Sequence, residues 1–103
     1  MKNIVVLVSG GGTNLQRIID YIESRAIQNA QISLVIADRE CFGLERVKKH
    51  GIFTQLIPRG KSFSSDLKNI LPENPDLIVL AGFLSILSKD FCESFKGQII
   101  NIH

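Results

Sequence analysis

An apolar run long enough to span a membrane and closely spaced cysteines are both missing from this chain of 103 residues. One long apolar stretch, residues 77–87, is interrupted by Gly82 and Ser85 and is too short for a membrane span. Its two cysteines, Cys41 and Cys92, have neither a CxxC nor a metal-ligand spacing, which favours two reduced thiols. We therefore expect one small soluble domain in the cytoplasm that makes no contact with a membrane.

An excess of charge of one sign is missing as well. Twelve basic and ten acidic residues leave a net charge of +2, which is too small to indicate a nucleic-acid partner. A basic cluster lies at residues 59–61, but no aromatic residues interleave with it, as a groove for single-stranded nucleic acid would require. We interpret this cluster as a solvated turn and expect no binding of nucleic acid.

The chain opens with an apolar run, residues 4–8, that leads directly into three glycines. The run is unbroken and β-branched, which is typical of a strand buried on both faces. It is too short for a signal peptide and has no cleavage site after it. Glycines 10–12 let the backbone turn sharply and come close to a ligand. Thr13 and Asn14 are suited to cap the helix that helically spaced apolar residues predict from position 15 onward.

A strand, a glycine loop and a helix N-terminus together direct free backbone N–H groups and the positive end of a helix dipole at one point. This arrangement is most often a phosphate site. A tight turn alone explains one glycine, and three in a row exceed that need. The motif therefore predicts that Gly11, Gly12, Thr13 and Asn14 bind a phosphate.

Strand and helix signals alternate along the chain. Apolar strands are predicted at residues 4–8, 32–37, 53–57, 76–81 and 99–103. Helices are predicted from residue 15, at 43–50, at 64–71, and from a cap at Ser88 to residue 95. Alternating helices and continuously apolar strands indicate a Rossmann-like, three-layer αβα fold with a parallel sheet. Because crossovers are right-handed, the most common strand order, 3-2-1-4-5, is expected.

Ligands of such sheets bind at the carboxyl ends of the strands, where the chain reverses direction between strands one and four. Residues 9–14, 81–87 and the chain end should meet there. Asn101 and His103 project to the same side of an extended segment. An amide donor beside an imidazole suits the stabilisation of an oxyanion together with proton transfer. A solvated polar pair near a chain end explains the same spacing equally well.

Several segments together carry a resemblance to one enzyme family. They are IVVLVSGGGTNLQ at 4–16, FGLER at 42–46, PDLIVLAGF at 75–83, ILS at 86–88 and INIH at 100–103. With these segments the chain resembles the glycinamide ribonucleotide formyltransferases of purine synthesis, over all 103 residues. The resemblance implies transfer of a formyl group from 10-formyltetrahydrofolate, the co-substrate, to the amine of glycinamide ribonucleotide. It implies no metal.

The resemblance also assigns roles to residues of this chain. It implies that Gly12, Thr13 and Asn14 hold the phosphate of glycinamide ribonucleotide. Asn101 and His103 would be catalytic, with the imidazole as the group that transfers the proton. The folate pteridine would be bound by Asn101 and by the backbone of Leu84, Ser85, Ile86 and Leu87.

Two features depart from the family pattern. Many relatives have arginine where this chain has Ser85, although contacts made by the backbone would survive that change. Relatives also continue beyond Asn-Ile-His with further strands, which carry an aspartate that raises the pKa of the histidine. The chain therefore resembles the N-terminal half of such an enzyme. We expect it to have little or no transferase activity and to self-associate through the exposed edge of its fifth strand.

Other interpretations remain open. Asp38 follows the second strand, where a dinucleotide-binding fold places its ribose-binding acid, but Leu15 stands where GxGxxG needs its third glycine, and an aspartate there also suits a turn. Among other folate enzymes, methionyl-tRNA formyltransferases lack the triple glycine. Formyltetrahydrofolate hydrolases carry an extra N-terminal domain, for which a strand starting at Ile4 leaves no room. A non-catalytic remnant or assembly partner is the third alternative.

Overall fold

The computed structural model describes residues 2–10, 13–24, 29–72 and 75–102, without the side chain of residue 21. Strands and helices alternate along these residues, as predicted. The strands are β1 (Lys2–Val8), β2 (Ala30–Ala37), β3 (Thr54–Leu56), β4 (Leu77–Ala81) and β5 (Ile99–Ile102). The helices are α1 (Thr13–Glu23), α2 (Phe42–Lys48), α3 (Phe63–Ile70) and α4 (Lys89–Ser94). None of these helices is long and apolar enough to cross a membrane.

The strands form one parallel sheet in the order β3-β2-β1-β4-β5, which confirms the predicted order. The central strand, β1, pairs with β2 on one side and with β4 on the other. Asn3 and Asp76, 73 residues apart, join the starts of β1 and β4. The Asn3 amide donates to Asp76 Oδ2 at 2.7 Å, and the Asp76 amide donates to the Asn3 carbonyl at 3.0 Å.

Successive side chains of β1 face opposite layers of helices. Val6 and Val8 belong to a core cluster shared with α1 and α2. Val5 and Leu7 belong to a second cluster, shared with α3 and α4. All four are fully buried, and each such side chain contributes roughly 1.5–3 kcal/mol by leaving water. The chain therefore has the three-layer, Rossmann-like αβα fold that continuous apolar strands predict.

Several helix ends differ from the predictions by one or two residues. Helix α1 begins at Thr13, so Thr13 and Asn14 form its first turn instead of capping it. Helix α2 begins at Phe42, which the sequence placed in a loop, and it ends at Lys48. The guanidinium of Arg46 lies 5.0 Å from the centroid of the Phe42 ring. The two residues are one helical turn apart, and their contact stabilises the start of α2 at Phe42.

The predicted cap of α4 is confirmed. Ser88 has extended backbone angles, and its Oγ accepts a hydrogen bond from the Phe91 amide at 3.1 Å. The chain leaves α4 through Gly97, which has a φ of +84° that glycine adopts without strain. Strand β5 follows at once, so this turn determines where residues 99–102 enter the sheet.

Candidate functional site

The loops that follow β1 and β2 are joined at the carboxyl edge of the sheet. The Asp38 amide donates to the Val8 carbonyl at 3.4 Å, across the ends of the two strands. The Gly43 amide, at the start of α2, donates to the Gly10 carbonyl at 3.0 Å. The first part of the glycine loop is therefore held by the element that follows β2.

The loop after β1 is also joined to the loop after β4. Ser9 is 4% exposed, and its Oγ accepts a hydrogen bond from the Leu84 amide at 2.8 Å. These two residues are 75 positions apart in the chain. The hydrogen bond crosses the point between β1 and β4 where the chain reverses direction, so the two predicted ligand-binding loops are neighbours.

Asp38 is a buried carboxylate at the same edge, with its side chain fully covered. It accepts hydrogen bonds from Arg39 Nε at 2.9 Å, from Arg39 Nη2 at 2.8 Å and from the Ser85 hydroxyl. Burial acts to raise the pKa of this carboxyl, but hydrogen bonds from Arg39, Ser85 and Ser9 outweigh it and lower the pKa from 3.8 to about 2. Asp38 is therefore ionised, and its carboxylate links the loop that follows β2 to the loop that follows β4.

This position argues against the dinucleotide alternative. A ribose-binding acid must present its carboxylate to the ligand, whereas the side chain of Asp38 has no exposed surface. Asp38 lies in the bend that follows β2, as a turn residue would, and its oxygens accept hydrogen bonds from Arg39 and Ser85.

The segment after β4, predicted to bind the pteridine, alternates between exposed and covered side chains. Leu84 is 70% exposed and Ile86 is 91% exposed. Ser85 turns inward to Asp38, and Leu87 packs against the core cluster that α3 and α4 share. Ser88 then donates its amide to Ser64 Oγ at 2.8 Å. The segment therefore offers exposed apolar side chains while hydrogen bonds hold it at both ends.

The predicted phosphate site is described only on its helical side. Thr13 is exposed and Asn14 is half-buried, and both lie in the first turn of the 11-residue helix α1. The first amides of a helix have no partner within the helix, so this end carries positive potential. Gly11 and Gly12 lie outside the described residues.

The predicted catalytic pair is described for one of its members. Asn101 of β5 is exposed and lies beside Leu80 of β4, and Ile102 lies beside Ala81 at the end of β4. Asn101 is thus one residue from the carboxyl edge that carries segment 84–87. His103 lies outside the described residues.

The bridging roles of Ser9 and Asp38 were not predicted from the sequence. One sequence signal does mark them: each is the first polar residue directly after a fully apolar strand end. Within the described ranges no group of three or more His, Cys, Asp or Glu side chains is arranged to hold a metal ion. Cys41 and Cys92 are free thiols.

Comparisons with known proteins show which family the chain is similar to. The formyl transferase family model matches residues 2–103. The chain is 42% identical over 111 residues to the phosphoribosylglycinamide formyltransferase of Haemophilus influenzae, covering all of this chain and 51% of that protein. It is 37% identical over 107 residues to the enzyme of the same name from Escherichia coli, covering 98% of this chain and 50% of that protein.

Solved structures include a phosphoribosylglycinamide formyltransferase from Coxiella burnetii that is 40% identical. It superposes with a TM-score of 0.87 over 99% of this chain and 51% of its own. The chain therefore spans about half the length of the relatives that it matches. On the match over residues 2–103, the chain belongs to the formyl transferase family.

Proposed function

We propose that this chain contributes to the transfer of a formyl group from 10-formyltetrahydrofolate to the amine of glycinamide ribonucleotide, in purine biosynthesis. The observation that carries the proposal is the hydrogen bond between Ser9 and Leu84. It makes neighbours of the glycine loop and segment 84–87, the two loops on which the proposed substrates would bind. Two free thiols are typical of a reducing compartment, which supports a cytoplasmic location.

The phosphate of glycinamide ribonucleotide is proposed to bind at the start of α1. Helix amides and the positive end of the helix dipole favour an anion there, and Thr13 and Asn14 add a hydroxyl and an amide within the first turn. Gly11 and Gly12 complete the proposed cradle, since glycine lets the backbone approach the phosphate oxygens closely. Binding of the phosphate would take no part in the reaction itself, but it would fix the position of the amine of glycinamide ribonucleotide.

The folate is proposed to bind along segment 84–87. Exposed Leu84 and Ile86 offer apolar surface to a flat aromatic ring. The backbone groups of Ser85 and Leu87 are proposed to bind its polar edge. Asn101 lies at the end of the neighbouring strand and is proposed to contact the same ligand. This assignment places the formyl donor beside the proposed catalytic amide.

The chemistry follows from that arrangement. The glycinamide nitrogen attacks the formyl carbon, so a carbon–nitrogen bond forms and the carbonyl oxygen becomes an oxyanion in a tetrahedral intermediate. The Asn101 amide and a protonated His103 are proposed to donate hydrogen bonds to that oxygen. When the intermediate collapses, the bond to folate N10 breaks and the imidazolium of His103 gives its proton to N10. The imidazole, now neutral, takes up the proton that the attacking amine loses, which restores the protonated form.

Ligand binding by the 103-residue protein tests this proposal directly. Glycinamide ribonucleotide and 5-formyltetrahydrofolate should each raise the unfolding midpoint, because a ligand that binds the folded state stabilises it. NAD should leave the midpoint unchanged. A shift with NAD and none with glycinamide ribonucleotide would instead support the dinucleotide-binding alternative.

A further inference from the structure

Segment 84–87 contains neither helix nor strand, so its shape depends on side-chain contacts. Hydrogen bonds from the Leu84 amide to Ser9 and from the Ser88 amide to Ser64 hold its two ends. Between them, the Ser85 hydroxyl donates to the carboxylate of Asp38. This middle contact joins the segment to the loop that follows β2.

The carboxylate is suited to this task because it cannot easily move. Two hydrogen bonds from Arg39 neutralise and orient it, and its backbone is held on both sides. The Asp38 amide donates to Val8, and its carbonyl accepts from the Arg59 amide at 3.3 Å. A hydrogen bond to an ionised acceptor is also about twice as strong as one between neutral groups. The carboxylate of Asp38 is thus an ionised acceptor in a fixed position, next to a segment that has no regular secondary structure.

We propose that Asp38 is a positioning residue, whose carboxylate holds Ser85 and thereby orients the backbone of residues 84–87 for the folate. This inference rests on the proposed function for the identity of the ligand. The orientation of the segment by Asp38 does not depend on the identity of the ligand. The role of Asp38 and the binding of folate can therefore be tested separately.

The hydroxyl of Ser85 can be tested with two variants that have nearly the same shape as each other. Ser85→Thr keeps the hydroxyl and adds a methyl group, and Ser85→Val has a second methyl group where threonine has its hydroxyl. The pair therefore isolates the hydrogen bond to Asp38. A matched control is Ser33→Val, because Ser33 is half-buried on β2 and its hydroxyl donates to the Ile4 carbonyl, away from the loops after β1 and β4.

The first measurement needs no ligand. Amide hydrogen exchange of Leu84 should be about tenfold faster in Ser85→Val than in Ser85→Thr, since a hydrogen bond to a charged group contributes enough stability for a change of that size. The control Ser33→Val should leave the exchange of Leu84 at the wild-type rate. Equal exchange in the Thr and Val variants would overturn the role of Asp38 in holding the segment.

The second measurement separates the two ligands by calorimetry. The dissociation constant of 5-formyltetrahydrofolate should rise about tenfold in Ser85→Val relative to Ser85→Thr, whereas that of inorganic phosphate should agree within about twofold. A purely structural defect would weaken both ligands together, and that result, or no change in either, overturns the proposal. If the wild-type protein binds no folate, the proposed function fails, and the exchange rates alone decide whether Asp38 positions the segment.

Discussion

Leu80 of β4 and Asn101 of β5 lie side by side in the parallel ladder. The same register sets Ala81 beside Ile102, so the two strands end together at the carboxyl edge. Asn101 is exposed, and the chain turns from Ala81 into the segment proposed to bind the folate. If the folate binds as proposed, the side-chain amide of Asn101 would lie next to the formyl carbon.

Replacing Asn101 should impair the chemical step more than substrate binding. In any form of the protein that transfers formyl groups, Asn101→Ala should lower kcat about 10²–10³-fold, as the loss of one oxyanion donor does. Steady-state formyl transfer measures this effect. Asn69→Ala, an exposed asparagine on α3, is the matched control and should behave as wild type.

His103→Ala should be at least as damaging, because proton transfer by a positioned side chain contributes about 10²–10⁴-fold. Near-normal turnover in either variant would contradict the proposed role of that residue.

A β-branched side chain in the glycine loop should prevent phosphate binding. Gly12→Val is expected to abolish calorimetric binding of glycinamide ribonucleotide, because the new side chain keeps the backbone away from the phosphate oxygens. The same variant should still bind 5-formyltetrahydrofolate, which shows that the fold survives. Equal affinity for glycinamide ribonucleotide in the variant and the wild type would rule out this loop as the phosphate site.

Stability should fall in acid through Asp38. The pKa of its carboxyl is about 2 in the folded protein and 3.8 for the unperturbed group, so its contribution is complete above pH 3.8 and is lost as the pH falls through 2. The difference corresponds to about 2 kcal/mol of unfolding free energy. Denaturant unfolding between pH 5 and pH 2 should show this extra loss for the wild type and not for Asp38→Asn. Parallel pH profiles would show that the carboxylate does not stabilise the fold.

The edge of β5 should promote association of the 103-residue protein. Ile100 is 48% exposed on this terminal strand of the sheet, and lysine on an edge strand opposes pairing with another chain. Sedimentation should show that Ile100→Lys reduces self-association. Ile70→Lys, at a 38% exposed position on α3, should not reduce it. A wild-type protein that stays monomeric at every concentration would contradict this expectation.

The layout of the fold was predictable because it depends on local patterns. Residues 4–8 are apolar at every position, which indicates a strand covered on both sides, and Ser88 precedes α4 as a cap should. Helix ends were less predictable: Phe42 joins α2 through a contact with Arg46 that only the helix itself creates. The contacts around Asp38 were not predictable, because the partner Ser85 is 47 residues away and only the sheet brings the two together.

The pairing of Asn3 with Asp76 has a consequence for how the molecule is made. These residues are 73 positions apart, and they join the starts of β1 and β4. Strand β1 is the central strand of the sheet. During synthesis β1 can pair early with β2, but its other edge stays open until residues 77–81 have left the ribosome. Contacts so distant in sequence form slowly, and an open apolar edge is the state most exposed to aggregation. We therefore expect the hydrogen bond between Ser9 and Leu84, which are 75 positions apart in sequence, to form late in folding, together with the pairing of the two loops.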